Sequence, residues 1–425
     1  MFKNVPEPYS MIEDKKRSLL AIVSYITTIL CRRLPSRSVI PFLRLLLGSL
    51  ASGGGHVTAA IVSLRHDVTW SSHYKWLCRG GTWCWRHLAL GAVEVLSELT
   101  RELKTTPQFF VIDDTLVERV SRKAPGTKIH FDHSKKPNRS SYINGQCLVS
   151  LSAAVRTQDK VVSLPLLHLL AKGTGNEGKL EKAKELVSDI SPLVNELPRY
   201  LLVDAWYMRE TLIKHAREKG FHVIGQVRID TDIRHIPPTP LRAKRGRPRI
   251  YGNKISPKSL AHTRFREATL PLYGKNQQIL FHSTVAYARF LGPVPVRAVW
   301  VHFVTTNPKT GEKTVGNRKL FLSTDTSLDP LQCIQHYEMR WIHIPSLAEF
   351  IPAFLLAFSP HLAELLARRT PWRKDRKITS RIITEALKEY FQSLSIHDIW
   401  SRTQKFCSFP IRELNPHTNN TNIAA

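Results

Sequence analysis

"PQFFVIDDTLVERV", residues 107–120, decides the fold. An apolar run rich in Phe, Val and Ile ends on Asp113 and Asp114, the pattern of a central strand whose carboxyl end opens on a site. "RYLLVDAWYM" (199–208) repeats it: an apolar run, then Asp204, then a helical pattern through "RETLIKHAREKG" that stops at Gly220. Between the two, "GQCLVSLSAAVRT" (145–157) and "KVVSLPLLHLLA" (160–171) read as antiparallel strands. "NEGKLEKAKELVSDISPLV" (176–194) reads as a helix with acids in its first turns, where the dipole favours them. "FHVIGQVRIDTDI" (221–233) reads as a further strand. Three strands followed by alternating helix and strand predict an α/β fold, a mixed sheet with flanking helices.

The rest of the chain divides around this core. Residues 1–104 carry a helical pattern broken at Pro35, Pro41 and "SGGG" (52–55), and we read them as a helical, DNA-binding region. In "WSSHYKWLCRGGTWCWRHL" (70–88), Trp and Tyr alternate with Arg and Lys; such residues stack on bases or fill a small helical core, and the burial tendency of Trp favours the core. Residues 105–233 form the first part of the core. Residues 234–326 hold β-type runs and read as an insertion with its own small sheet. Residues 327–425 resume a helical pattern, with Asp329 as N-cap, Pro330 in the first helical position, and a basic tail.

Charge narrows the partner. Lys and Arg number 62 against 34 acids in 425 residues, a net +28 with pI near 10.1. Such a field favours a polyanion, and nucleic acid is the commonest. The longest apolar stretch (38–51) is short and contains Arg44, and the N-terminus lacks the pattern of a signal peptide. We therefore expect no membrane partner and a cytoplasmic protein. The cysteines at 31, 78, 84, 147, 333 and 407 form no CxxC pair, so we expect reduced thiols.

Asp113 and Asp204 are the residues expected to carry chemistry. Either alone reads as readily as a helix cap or turn residue. Together, on neighbouring strands, they bring two hard-oxygen ligands to one sheet edge, where a phosphate and Mg²⁺ (or Mn²⁺) can be held, as a nuclease needs. Successive strand residues point to opposite faces, so only one of Asp113 and Asp114 aims into the site; we choose Asp113. His130, Asp132 and His133 match no standard zinc spacing, and phosphate contact or a solvated loop explains them better. "AKRGRPRIYG" (243–252) has the Arg-Gly-Arg-Pro-Arg order of a minor-groove segment, with Lys244, Arg245, Arg247 and Arg249 as DNA contacts.

The order "VIDDT", "LVDAW", β-rich insertion and "YEMRW" (337–341) resembles the DDE transposases of bacterial insertion sequences. The resemblance covers about residues 107–341. It implies an RNase H-like catalytic domain using two divalent ions to cut the ends of an element and join them to a target. It also implies Tyr337 and Arg340 as contacts to the DNA backbone. The expected partners are the element's terminal repeats and target DNA, with a homodimer on DNA as one assembly and the bacterial nucleoid as the location.

One part of the pattern is missing. In that family the helix that begins Tyr-x-x-Arg carries a Glu and then a Lys, and projection from Tyr337 and Arg340 places these at Ile344 and Ile351. Pro345 also disfavours helix at Ile344. Glu349 is the nearest acid downstream and the candidate third catalytic carboxylate. "SLAE" from Ser346 explains it without chemistry as the third residue of a capping box, and we read it first as the start of a new helix. The alternative function is a catalytically impaired, DNA-binding remnant with an internal deletion after Trp341.

Overall fold

The computed structural model describes residues 19–393 apart from 54–55, 64–69, 79–84, 102–107, 122, 132–139, 157–160, 172, 174–177, 195–197, 239–248, 262, 273, 307–310, 342–348 and 369–377. Five helices come first: α1 (Leu19–Cys31), α2 (Ser36–Ser52), α3 (Val57–Ser63), α4 (Trp70–Cys78) and α5 (Trp85–Arg101). The predicted breaks hold at Pro35, which caps α2, and at Gly53, whose φ of 71° ends it. Pro41 does not break the chain; α2 runs through it, giving up one backbone hydrogen bond.

The core follows as β1 (Gln108–Glu118), β2 (Lys128–Phe131), β3 (Tyr142–Arg156), β4 (Val161–Ala171), α6 (Lys179–Ile190), β5 (Arg199–Val203), α7 (Glu210–Glu218) and β6 (His222–Val227). β1 pairs antiparallel with β3 and β3 with β4, whereas β1, β5 and β6 run parallel. This gives the order β4-β3-β1-β5-β6, an RNase H-like arrangement. The predicted strand 221–233 is two pieces: β6 ends at Val227, and after a turn closed by Thr231 N–H on the Arg228 carbonyl comes β7 (Ile233–His235).

After α8 (Pro257–Ala261) come β8 (Arg266–Leu272), β9 (Lys275–Ala288), β10 (Pro295–Thr306), β11 (Lys313–Val315) and β12 (Lys319–Ser323). These strands were expected to make a separate sheet, and they do not. β12 pairs antiparallel with β6, and the order continues β6-β12-β10-β9-β7, so the described residues form one sheet of 12 strands. The alternating pattern of 263–323 marks strands, but only the free edge of β6 decides what they pair with. α9 (Pro330–Glu338) then begins as predicted: the Asp329 carboxylate accepts from Leu331 N–H at 2.8 Å and Gln332 N–H at 3.3 Å, with Pro330 next. α10 (Phe350–Phe358), α11 (Pro360–Ala367) and α12 (Ser380–Ser393) complete the described chain.

Strand alternation sorts the core into two layers. On one face Phe110, Ile112, Leu201, Val203 and Val223 meet α6, α7, α10 and the N-terminal helices; on the other Phe109, Val111, Tyr200, Leu202 and Ile224 meet α9. Each such side chain, fully buried, stabilises the fold by about 1.5–3 kcal/mol. The N-terminal helices share this core: Leu19 through Leu96 pack into the same cluster as β3 and β4. Arg86 on α5 also grips Asp189 on α6 through two bonds of 2.7 Å. Of the tryptophans in 70–88, Trp70 is exposed, and Trp76 is half-buried and donates to Ser38 Oγ at 3.1 Å.

Gly225 on β6 is required by close packing. A Cβ there would overlap Met208 Sδ and lie 2.9 Å from the Val203 carbonyl oxygen. Gly225→Val is expected to cost about 1–3 kcal/mol through overpacking, read as a lower urea midpoint with unchanged m-value.

Candidate active site

The site is set by register. β1 and β5 pair in parallel from Gln108 opposite Arg199 to Val111 opposite Leu202, an offset of 91 (199 − 108). The ladder ends there and β5 at Val203, but Asp113 and Asp204 are separated by the same offset (204 − 113), so continuing the register two residues brings both to the same sheet edge. Adjacent strands lie about 4.8 Å apart. Both aspartates continue the Phe109–Val111 and Tyr200–Leu202 rows and so share the α9 face. Each charge opposes ionisation of its neighbour, and the Asp204 carboxylate is one of the groups raising the proton affinity of Asp113.

Asp113 is half-buried. Its Oδ1 accepts from the Asp114 backbone N–H at 2.9 Å and its Oδ2 from Arg340 Nη1 at 3.2 Å. Burial pushes this carboxyl above its ordinary range, while the Arg340 guanidinium pulls it back. Asp204 closes a turn: its Oδ1 accepts from Trp206 N–H and Tyr207 N–H, both at 2.9 Å. The turn geometry that would explain Asp204 without chemistry is therefore present, and it fixes the carboxylate at the strand end.

Asp114 faces the other way, as alternation requires. Its Oδ2 accepts from Lys179 Nζ at 2.8 Å and its Oδ1 from Tyr207 Oη at 3.1 Å, with Cys147 Sγ at 3.8 Å. Burial pushes the Cys147 thiol up to about 11 and the Tyr207 phenol far up, so both stay protonated near neutral pH. Tyr207 thus ties the two strand ends together: its N–H holds Asp204 and its hydroxyl holds the residue beside Asp113. Only its place three residues after Asp204 hinted at this in the sequence. Tyr207→Phe is expected to cost about 1.5–3 kcal/mol, the worth of a hydrogen bond to a charged acceptor, measurable as a drop in urea midpoint.

Tyr337 and Arg340, the expected contacts to the DNA backbone, both lie near the aspartates. α9 ends at Glu338, and a single 3-10 turn, Met339–Trp341, carries Arg340 to Asp113. Tyr337 is buried against Phe321 at 4.8 Å, and the Arg340 guanidinium lies 5.7 Å from its ring centre. Arg340 thus contacts the Asp113 carboxylate directly, and Tyr337 packs behind the guanidinium.

The projected third position, Ile344, lies outside the described residues, as do Pro345 and Ser346. Ile351, the projected Lys position, is buried in the core on α10. Glu349 occupies the cap position of α10, half-buried, and makes no side-chain cap bond there; Ser346, the other half of the expected capping box, lies outside the described residues. Among the described residues no three His, Cys, Asp or Glu side chains converge to hold a metal. Two carboxylates on adjacent strands suit a hard divalent ion through their oxygens. They leave the rest of its coordination to other donors.

The other candidates stand apart. His130 is buried on β2, and burial lowers its proton affinity; Asp132 and His133 lie outside the described residues. Lys244, Arg245 and Arg247 also lie outside them, and Arg249 is exposed. The chain beyond that segment returns to β7, with Gly252 N–H donating to the His235 carbonyl at 2.9 Å and Ile255 N–H to the Ile233 carbonyl at 2.8 Å. Cys31, Cys78, Cys147 and Cys333 are free thiols, and no single described helix is long and apolar enough to cross a membrane.

Compared with known proteins, residues 36–272 match the family model described as DDE superfamily endonuclease. The match covers more than half of the 425 residues and includes Asp113 and Asp204. No curated protein matches the chain.

Proposed function

The chain belongs to the DDE superfamily of endonucleases, and from that membership we propose that it is a transposase that cuts the ends of an insertion sequence and joins them to target DNA. The observation that carries the reading is the shared offset of 91 that sets Asp113 opposite Asp204 on one face. Divalent ions, Mg²⁺ or Mn²⁺ and two in number, would supply charge neutralisation at the phosphate and an activated attacking oxygen. Asp113 and Asp204 would hold them. Arg340 opposes the burial that raises the Asp113 carboxyl and orients it, and the Trp206 and Tyr207 N–H groups fix Asp204.

In the first step water attacks the phosphorus, the bond to the 3′ oxygen breaks, and the proton lost by the water is matched by the one the 3′ oxygen gains. In the second, that 3′-hydroxyl attacks a target phosphodiester, the target's own bond from phosphorus to its 3′ oxygen breaks, and the proton lost by the attacking hydroxyl is matched by the one the displaced 3′ oxygen gains. Arg249 and the basic segment before it would hold DNA outside the site, and the net +28 would draw it in.

A second reading rests on a specific observation: the described residues supply two carboxylates and no third. It makes the protein a DNA-binding remnant that occupies element ends without cutting. The test is incubation with Mg²⁺ or Mn²⁺ and DNA bearing the terminal repeats that flank the gene. Nicking followed by joined products supports the transposase. Nicking without joining makes it a nuclease, and salt-sensitive binding with neither product makes it the remnant.

A further inference from the structure

β1 does not end at the site. It runs on from Asp113 to Glu118, and with β2 and the first residues of β3 it forms a three-stranded arm, in which Val117 pairs with Gln146, Ile129 with Asn144 and Phe131 with Tyr142. Paired residues on antiparallel strands share a face, and Asp113 pairs with Ser150. Positions 142, 144 and 146 differ from 150 by even numbers, so Tyr142 and its partner Phe131 point to the same face as Asp113. Burial agrees: Ile143 and Cys147 are buried on the opposite side.

This face is exposed where it should be polar. Ile129 is 65% exposed, Phe131 46% and Tyr142 65%, and the two rings meet edge to face at 5.3 Å. Scattered surface apolar residues are ordinary. A contiguous trio at the sheet edge, Ile129 and Phe131 on the outermost strand β2 and Tyr142 on its neighbour β3, is different, because such an edge invites unwanted pairing unless something covers it. Charge identifies the cover. Among the described residues from Thr115 to Cys147 the only acid is Glu118, which alternation turns to the other face, against Arg119, Lys123 and Lys128. Arg119 is exposed on the aromatic side, its Nε on Gln146 Oε1 at 2.7 Å.

We infer that this arm is a DNA-docking surface on which Phe131 and Tyr142 stack against bases of the substrate beside the phosphate held at Asp113. The inference rests on the functional reading above. Eight residues separate Tyr142 from Ser150 (150 − 142), or about 26 Å of strand. At 3.4 Å per nucleotide the stacked base lies about seven or eight nucleotides from the reacting phosphate. The exposed aromatics give the arm a grip that does not depend on counterion release.

The experiment is fluorescence anisotropy on the terminal-repeat DNA with the full chain, comparing wild type, Phe131→Ala/Tyr142→Ala and Phe131→Tyr/Tyr142→Phe. The alanine pair should bind at least about tenfold more weakly, as expected for loss of base stacking, with the slope of log affinity against log salt unchanged. The aromatic pair should bind as wild type does. With 2-aminopurine placed along the repeat, quenching near the seventh or eighth nucleotide should vanish in the alanine pair. Undiminished binding by the alanine pair overturns the inference while leaving the functional reading intact. Unchanged DNA affinity with a dimer-to-monomer shift in sedimentation also overturns it and makes the arm a contact between copies. A wild type that binds no DNA removes the functional reading and this surface with it.

Discussion

Asp204→Asn is expected to abolish metal-dependent cleavage, by about a thousandfold or more, while leaving the fold in place. The substitution separates two roles that Asp204 plays. Its Oδ1 accepts from Trp206 N–H and Tyr207 N–H, and an asparagine amide oxygen can accept both, so the turn survives. What is lost is the negative charge opposite Asp113. Holding a divalent ion at the phosphate contributes several kcal/mol of transition-state charge stabilisation, and about 4 kcal/mol corresponds to three orders of magnitude in rate. The measurement is single-turnover nicking alongside a urea melt. A variant that melts as wild type does and still cuts at the wild-type rate removes Asp204 from the site. Asp204→Ala would be a poorer probe, because it breaks the turn as well.

Arg340→Gln should move the acid limb of the cleavage profile to higher pH. Burial raises the Asp113 carboxyl and Arg340 is the main group lowering it, so removing the guanidinium raises it further. The ionised carboxylate is the form that can hold a cation, so log kcat/KM should begin to fall at a higher pH in the variant. Stability follows with its own sign. A carboxyl whose folded pKa lies above its unfolded value binds more protons in the native state, so its contribution is present at low pH and lost as pH rises through the folded pKa. The variant should therefore lose more Tm than wild type between the acid range and neutrality. Asp113 is 41% exposed in this pair, so solvent screens it and the outright loss of stability on removing Arg340 should be small. An acid limb at the same pH in both proteins would show that Arg340 does not act on the ionisation of Asp113.

Much of this site was legible because it rests on periodicity. The apolar runs before Asp113 and Asp204 are the rows of one sheet face, and the spacing of the two aspartates is the strand offset itself. Asp329, Pro330 and Gly220 mark helix ends by local chemistry, and each does so in the structure. What depends on distant partners was not legible. The runs in 263–323 alternate as strands must, yet nothing in them says that β12 pairs with β6. Tyr337 reads as a residue facing DNA, but its burial depends on Phe321 across the layer. Lys179 and Tyr207 look like an ordinary helix residue and an ordinary turn residue until both are seen on Asp114.

Arg340 and Asp113 are separated by 227 positions in the chain, and every strand from β2 to β12 lies between them. On the ribosome, where domains fold as they emerge, both aspartates can be laid in register long before the guanidinium that balances Asp113 has been made. A chain interrupted between Asp204 and Arg340 would carry the carboxylate pair without its counter-charge. Synthesis of the turn that follows α9 therefore acts as a clock on the site, supplying the counter-charge only after the whole sheet has been made.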